Sequence, residues 1–179
     1  MRQLLLLRDN KTRFINIFLW IALDVVLWGF ITKFLNQISE ANNSFIPIFM
    51  GAVILSNFLV RIQQGVIVAF LEDMWTKNFL NLFASPLTVK EYITGLVVTA
   101  IFTGAAGFFA MTIIASVIFG YDLFNIGLYL YFFLLILFIF GLAIGVFSIA
   151  IVLRYGPAAE WFVWPVPFVI GPFSGIFYP

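Results

Sequence analysis

Glu72, Asp73, Lys77, Lys90 and Glu91 all fall within residues 70–92, FLEDMWTKNFLNLFASPLTVKEY, a polar island between two long apolar runs. What chemistry they can do is narrowed by what the chain lacks. It has no His and no Cys, which removes imidazole and thiolate metal ligands, nucleophilic thiols and the usual proton shuttle at neutral pH. Nor is there a paired-carboxylate motif, so the sequence offers no catalytic, cofactor-binding or metal residue. These charges are better suited to recognition. An amphipathic connector between membrane spans is where a soluble partner can push on them, and the candidate contact residues are Glu72, Asp73, Trp75, Lys77, Asn78 and Phe79.

The surrounding elements follow from composition. Hydrophobic residues make up 64% of the 179 and charged residues only 9%, against about a quarter charged in ordinary soluble domains. Mean hydropathy is +1.13. The fold class expected is all-α, a polytopic membrane bundle forming one domain over residues 1–179. A net charge of +1 gives too few cations for a nucleic-acid patch, leaving membrane lipid and protein as partners.

Five apolar segments can be read, at roughly 14–35, 45–69, 92–119, 126–153 and 161–179. The last is interrupted by Pro165, Pro167 and Pro172, with Gly171 and Gly175 beside them. Such a segment cannot stay a straight helix, and broken backbone at membrane depth must be buried in protein or line a cavity. Two readings stay open: a broken helix near the outer leaflet, or a frayed terminal segment that a continuation would have supported. The first segment reads as a retained anchor rather than a cleaved signal peptide, since no small-residue cleavage site follows it.

Cations set the expected orientation. Arg2, Arg8, Lys11 and Arg13 precede the first span, Lys77 and Lys90 lie in the island, and Arg154 follows the fourth span. Residues 36–44 and 120–125 have no Lys or Arg, and Lys33 alone lies near that side. Positively charged loops stay in the cytoplasm. Residues 1–13 and the connector at 70–91 are therefore expected on the cytoplasmic face of the inner membrane.

Within the island, Leu71, Met74, Trp75, Phe79, Leu82 and Phe83 recur at helical spacing opposite Glu72, Asp73, Thr76, Lys77 and Asn81. The spacing predicts an amphipathic helix with Asp73 and Lys77 as an exposed pair four residues apart. Ser85-Pro86 should end it, and Thr88-Val-Lys-Glu91 reads as a capping box opening the third span. Resting on lipid headgroups is the simpler role for such a helix; docking a cytoplasmic subunit is the functional one.

The same island resembles the signature region of bacterial ABC-type exporter permeases of the type-2 membrane family. The resemblance lies in Glu-Asp-x-Trp-Thr-Lys-Asn-x-x-Asn-Leu and Ser-Pro-Leu-Thr-x-x-Glu-Tyr, and continues through Arg154-Tyr-Gly-Pro-Ala-Ala-Glu160 and Gly171-Pro-Phe-Ser-Gly-Ile-Phe-Tyr-Pro179. It implies a permease half that pairs with a second copy of itself and with two ATP-binding subunits. Residues 72–85 would contact the ATPase. Members of that family usually have six spans, so the resemblance also implies that the last span is missing from this sequence.

The residues agree that energy is supplied elsewhere. There is no G-x-x-x-x-G-K-[ST] phosphate loop and no soluble stretch long enough for a nucleotide-binding domain. Asp24, in the middle of the first span, is the clearest intramembrane carboxylate, with Arg61 near one end of the second span as its possible partner. A secondary transporter or channel, the alternative reading, would normally need several such sites. A membrane enzyme is the weakest reading. Asp24 should face protein or water, either holding spans together or contacting substrate or a partner. Thr103-Gly-Ala-Ala-Gly107 and Gly141-Leu-Ala-Ile-Gly145 read as close helix contacts. Trp20, Trp28, Trp161, Trp164, Tyr129 and Tyr131 read as interface anchors and packing.

Overall fold

A computed structural model describes residues 11–38 and 46–173. Arg2 and Arg8 of the N-terminal segment, residues 39–45 of the first connector and residues 174–179, with Gly175, lie outside the described residues. The elements in chain order are α1 (Lys11–Ile38), α2 (Ile46–Trp75), α3 (Phe79–Ala84), α4 (Val89–Phe119), α5 (Tyr129–Tyr155), α6 (Glu160–Val163) and α7 (Val166–Ile170), with 3-10 turns at Leu123–Ile126, Pro157–Ala159 and Gly171–Phe173. The protein is an all-α bundle without strands among the described residues. Four helices, α1, α2, α4 and α5, are long and apolar enough to cross a membrane. This is a multi-pass membrane protein.

Glycine contacts give the helix directions. A Cβ on Gly65 of α2 would meet Ala100 and Thr103 of α4, and one on Gly104 would meet Ile62 and Phe58, so α2 and α4 run antiparallel. Gly141 and Gly145 of α5 sit against Ile62 and Val66 in rising order, so α2 and α5 run parallel. Gly107 faces Ile21 and Gly29 faces the Phe119 ring, which sets α1 parallel to α4. The N-terminus of α1, the 76–88 connector and Arg154 thus share one end of the bundle. Lys33 and Asp122 lie toward the other.

α2 is the central strut. Met50, Ile54, Ile62, Val66, Ile67 and Leu71 along it are fully buried, and Phe58 meets Phe108 edge-on at 5.7 Å. The outward faces are apolar instead: Leu23, Leu27 and Phe30 on α1 and Phe132, Ile136 and Phe147 on α5 are all exposed. Lipid tails are as apolar as these side chains, so burial alone does not drive helices together; close van der Waals packing does, and small residues permit it. Both glycine stretches singled out above make such contacts, and Gly65 adds a third. Threonine hydroxyls within the spans fold back onto their own helices: Thr99 donates to the Gly95 carbonyl, Thr103 to Thr99 and Thr112 to Phe108, each at 2.9 Å. No water is needed to satisfy them.

Gly65 tests this packing argument. A Cβ there would lie 2.5 Å from Thr103 Oγ1 and 2.7 Å from the Ala100 Cα, and backbone cannot yield without moving the helix. Gly65→Ala should destabilise the bundle by about 1–3 kcal/mol, the usual cost of overpacking. Gly95, with nothing within 4 Å of its added Cβ, is the control: Gly95→Ala should be neutral or stabilising, by up to about 1 kcal/mol. Thermal unfolding of both variants in detergent measures the difference.

Two boundaries differ from expectation. α2 does not stop near residue 69 but continues through Trp75, so the first part of the island is the last turn and a half of the second span. The fourth span begins at Tyr129 rather than 126, because Asp122 caps a 3-10 turn by accepting from the Phe124 N–H at 2.9 Å. The fifth apolar segment is broken as its prolines dictate. Among the described residues, Pro165, Pro167 and Pro172 leave only α6, α7 and the 3-10 turn at Gly171–Phe173, none long enough to cross a membrane. Glu160 at the start of α6 meets Trp75, so the broken segment starts at the connector end, not at the end that the expected orientation makes the outer leaflet. Val163 is fully buried and Trp164 packs on the core, so these pieces lie on the bundle. Trp20, Trp161, Tyr129 and Tyr131 are exposed, as interface anchors would be.

Candidate functional site: the α2–α4 connector

The connector is built by a helix stop that the sequence pattern does not announce. Lys77 adopts φ +53°, the left-handed conformation. Around it the Lys77 N–H donates to the Met74 carbonyl at 3.0 Å and the Asn78 N–H to the Asp73 carbonyl at 2.9 Å. This is the Schellman pattern that closes helices, usually with glycine at the left-handed position. The expected single amphipathic helix is therefore two elements, the end of α2 and the six-residue α3, meeting at a turn. Ser85 caps α3 in extended conformation, where Ser-Pro was expected to end it. The capping box is present as read: the Glu91 carboxylate accepts from the Thr88 N–H at 2.8 Å, and the Glu91 N–H donates to Thr88 Oγ1 at 3.3 Å.

The turn moves the candidate residues out of the arrangement the spacing suggested. Asp73 is only 3% exposed. Its carboxylate accepts from Asn78 Nδ2 and from the Tyr92 hydroxyl, each at 3.2 Å, so it brackets the end of α2, the turn and the start of α4. It does not form the exposed pair with Lys77. The left-handed turn removes Lys77 from the helical register that would have placed them together, and Lys77 points to solvent. Phe79 turns inward against Phe70, with ring centroids 5.3 Å apart. The exposed apolar groups here are Trp75, Leu80 and Leu87, at 53%, 80% and 43%. Trp75 is oriented from behind: its indole N–H donates to Glu160 Oε2 at 3.0 Å, joining the connector to the segment after α5. Glu72 lies half-buried in the last turn of α2. Trp75, Lys77 and Asn78 are thus brought together at the surface with Leu80, while Asp73 and Phe79 hold the connector from inside.

Leu80, Tyr92 and Glu160 were missed. Leu80 falls on the polar side of the helical wheel, where a leucine adds nothing to the apolar stripe, so its exposure was passed over. Tyr92 and Glu160 stood in the quoted motifs, but spacing carries no sign that they reach Asp73 and Trp75.

The intramembrane polar residues form a second constellation. Asp24 Oδ2 accepts from Asn57 Nδ2 on α2, and the same amide also donates to the Val53 carbonyl at 3.1 Å. Arg61, expected as the partner of Asp24, lies one turn further along α2 than Asn57. Its guanidinium donates to Gln64 Oε1 at 3.2 Å, and its aliphatic stem lies on Gly107. Asn57, the direct partner of Asp24, was not anticipated; its distance along α2 matches Asp24 only once the helices are known to be antiparallel. Among the described residues no group of three His, Cys, Asp or Glu side chains is placed to hold a metal.

Asp24→Asn tests what this pair does. An amide keeps an oxygen for Asn57, so an interhelical role predicts a folded, active protein. Asp24→Leu should cost about 1–3 kcal/mol, because it leaves the Asn57 amide short of an acceptor. Detergent thermal stability and transport, measured on both variants, separate the roles. An Asn variant that folds normally and no longer transports would assign Asp24 to substrate or partner contact instead.

Comparison with protein-family models, with curated proteins and with solved structures finds no match for this chain.

Proposed function

We propose that this protein is the membrane-spanning permease subunit of an ATP-driven exporter of the ABC type, with the α2–α4 connector as the surface on which a separate ATP-binding subunit docks. The observation that carries the reading is the exposed Trp75–Leu80 ledge on a connector tied down by Asp73. A force applied to such a ledge passes into α2, the most buried of the spans, rather than into a loose loop. The motif resemblance of residues 70–92 supports it, and so does the lack of a phosphate loop in the sequence. A second permease copy would complete the transport path, and the substrate is of unidentified class. No cofactor is implied on this chain, and ATP hydrolysis belongs to the partner.

The reading requires the connector in the cytoplasm of a bacterial inner membrane, with the N-terminus on the same side. Lys11, Arg13, Lys77, Lys90 and Arg154 share that end of the bundle, with Lys33 toward the other, the bias that retains a loop inside. The chain has no cysteine, so single cysteines report cleanly. One at the exposed position Asn81 should resist an impermeant thiol reagent in intact cells, and one at the exposed Asn125 should react. The reverse labelling would place the connector where no ATP-hydrolysing subunit operates, and would end the proposal. A secondary carrier or channel is the alternative, and its support is the Asp24–Asn57–Arg61 set. One carboxylate held by an amide supplies no relay of coupling sites, so we rank it second.

A further inference from the structure

At the connector end, a cavity of about 360 Å³ opens between α4 and α5. It is lined by Phe70 of α2, by Tyr92, Ile93 and Val97 of α4, and by Val146 and Ile149 of α5. It extends along α4 from Val89 to Val97 and along α5 from Leu153 back to Val146, which at 1.5 Å per residue is roughly 10–12 Å into the apolar zone. Val89, Ile93, Val146 and Leu153 are all exposed, so the cavity opens outward between two spans, toward lipid. The Tyr92 hydroxyl is turned away to Asp73, which leaves its ring as lining.

α4 and α5 each carry a cation next in sequence to their last lining residue at the connector end. Lys90 follows Val89 in the first turn of α4, and Arg154 follows Leu153 in the last turn of α5; both are exposed, with the guanidinium of Arg154 5.6 Å from the Tyr155 ring. The acidic groups nearby are engaged: Glu91 in its bonds to Thr88, Asp73 behind Tyr92, and Glu160 on the Trp75 indole. We infer that this cleft is a binding site for one anionic phospholipid, its acyl chain in the cavity and its headgroup phosphate between Lys90 and Arg154. Basic residues at the membrane surface between spans select anionic headgroups, and the apolar cleft below them provides what a soluble anion would not need. The inference does not rest on the exporter reading.

Spin-labelled phosphatidylglycerol and spin-labelled phosphatidylcholine, added to the full-length protein in vesicles of dioleoylphosphatidylcholine, provide the test. The wild type should immobilise phosphatidylglycerol with a preference of roughly tenfold, given two cations beside the headgroup. Lys90→Ala/Arg154→Ala changes only exposed side chains and should reduce that preference to near unity. Val97→Trp, which fills the wall, should remove the immobilised component for both lipids. Equal retention of the two lipids by the wild type would overturn the inference, as would a tenfold preference that survives Lys90→Ala/Arg154→Ala. Absence of any immobilised lipid in the wild type would also overturn it and would indicate that protein covers the cleft.

Discussion

Asp73→Ala should loosen the connector while leaving the bundle in the membrane. The carboxylate is buried and receives hydrogen bonds from Asn78 Nδ2 and the Tyr92 hydroxyl, so truncation strands both donors in a place water reaches poorly. Hydrogen bonds to charged groups contribute about 1.5–3 kcal/mol each way of counting, and every 1.4 kcal/mol is tenfold in a population. Amide exchange over residues 76–88 should therefore accelerate by roughly ten- to a hundredfold, with α2 and α5 core amides little changed. Asp73→Asn, which keeps one acceptor oxygen, should fall between. Lys77→Ala, on an exposed side chain, should change exchange much less. Unchanged connector exchange in Asp73→Ala would mean that the bracket contributes nothing.

This prediction reverses what spacing alone implies for Asp73, and the reason is instructive. Helical periodicity through Leu71, Met74, Trp75 and Phe79 is real on both sides of residue 77, so the pattern reads as one helix with Asp73 on its polar face. The break is made by Lys77 in a left-handed conformation that glycine adopts more easily. No glycine, proline or asparagine at that position marks it. Phe79 still packs inward and Leu80 still stands out, but Asp73, expected at the rim, becomes an internal bracket. Features that depend on local chemistry were legible: the capping box at Thr88–Glu91, the stop at Ser85-Pro86, the proline-broken end and the apolar spans. Features that depend on which helices touch were not. The Asp24–Asn57 bond and the Trp75–Glu160 bond join residues 33 and 85 positions apart, and nothing in either neighbourhood names the other. Gly65 sits between Gln64 and Val66 rather than in a small-residue run, so its contact with Ala100 also went unread.

The second large effect is expected at the surface the connector presents. Trp75 and Leu80 are the aromatic and aliphatic groups that stand out from it. Large exposed side chains on a rigid support are the kind that dominate protein interfaces, with truncations costing about 2 kcal/mol or more. Trp75→Ala/Leu80→Asp should weaken capture of an ATP-binding subunit by at least about thirtyfold, since two such losses exceed 2 kcal/mol together. Insertion and thermal stability should stay close to wild type, because neither side chain lies in the bundle core. Phe79→Ala, by contrast, acts through its contact with Phe70 and should lower stability first.

The most direct test of the central claim is co-purification of the tagged full-length chain, expressed from its native locus, with a phosphate-loop ATPase identified by its nucleotide hydrolysis. The account predicts that the wild type brings down this activity and that Trp75→Ala/Leu80→Asp, equally abundant in the membrane, does not. Equal ATPase recovery from both proteins, or none from the wild type, would contradict it.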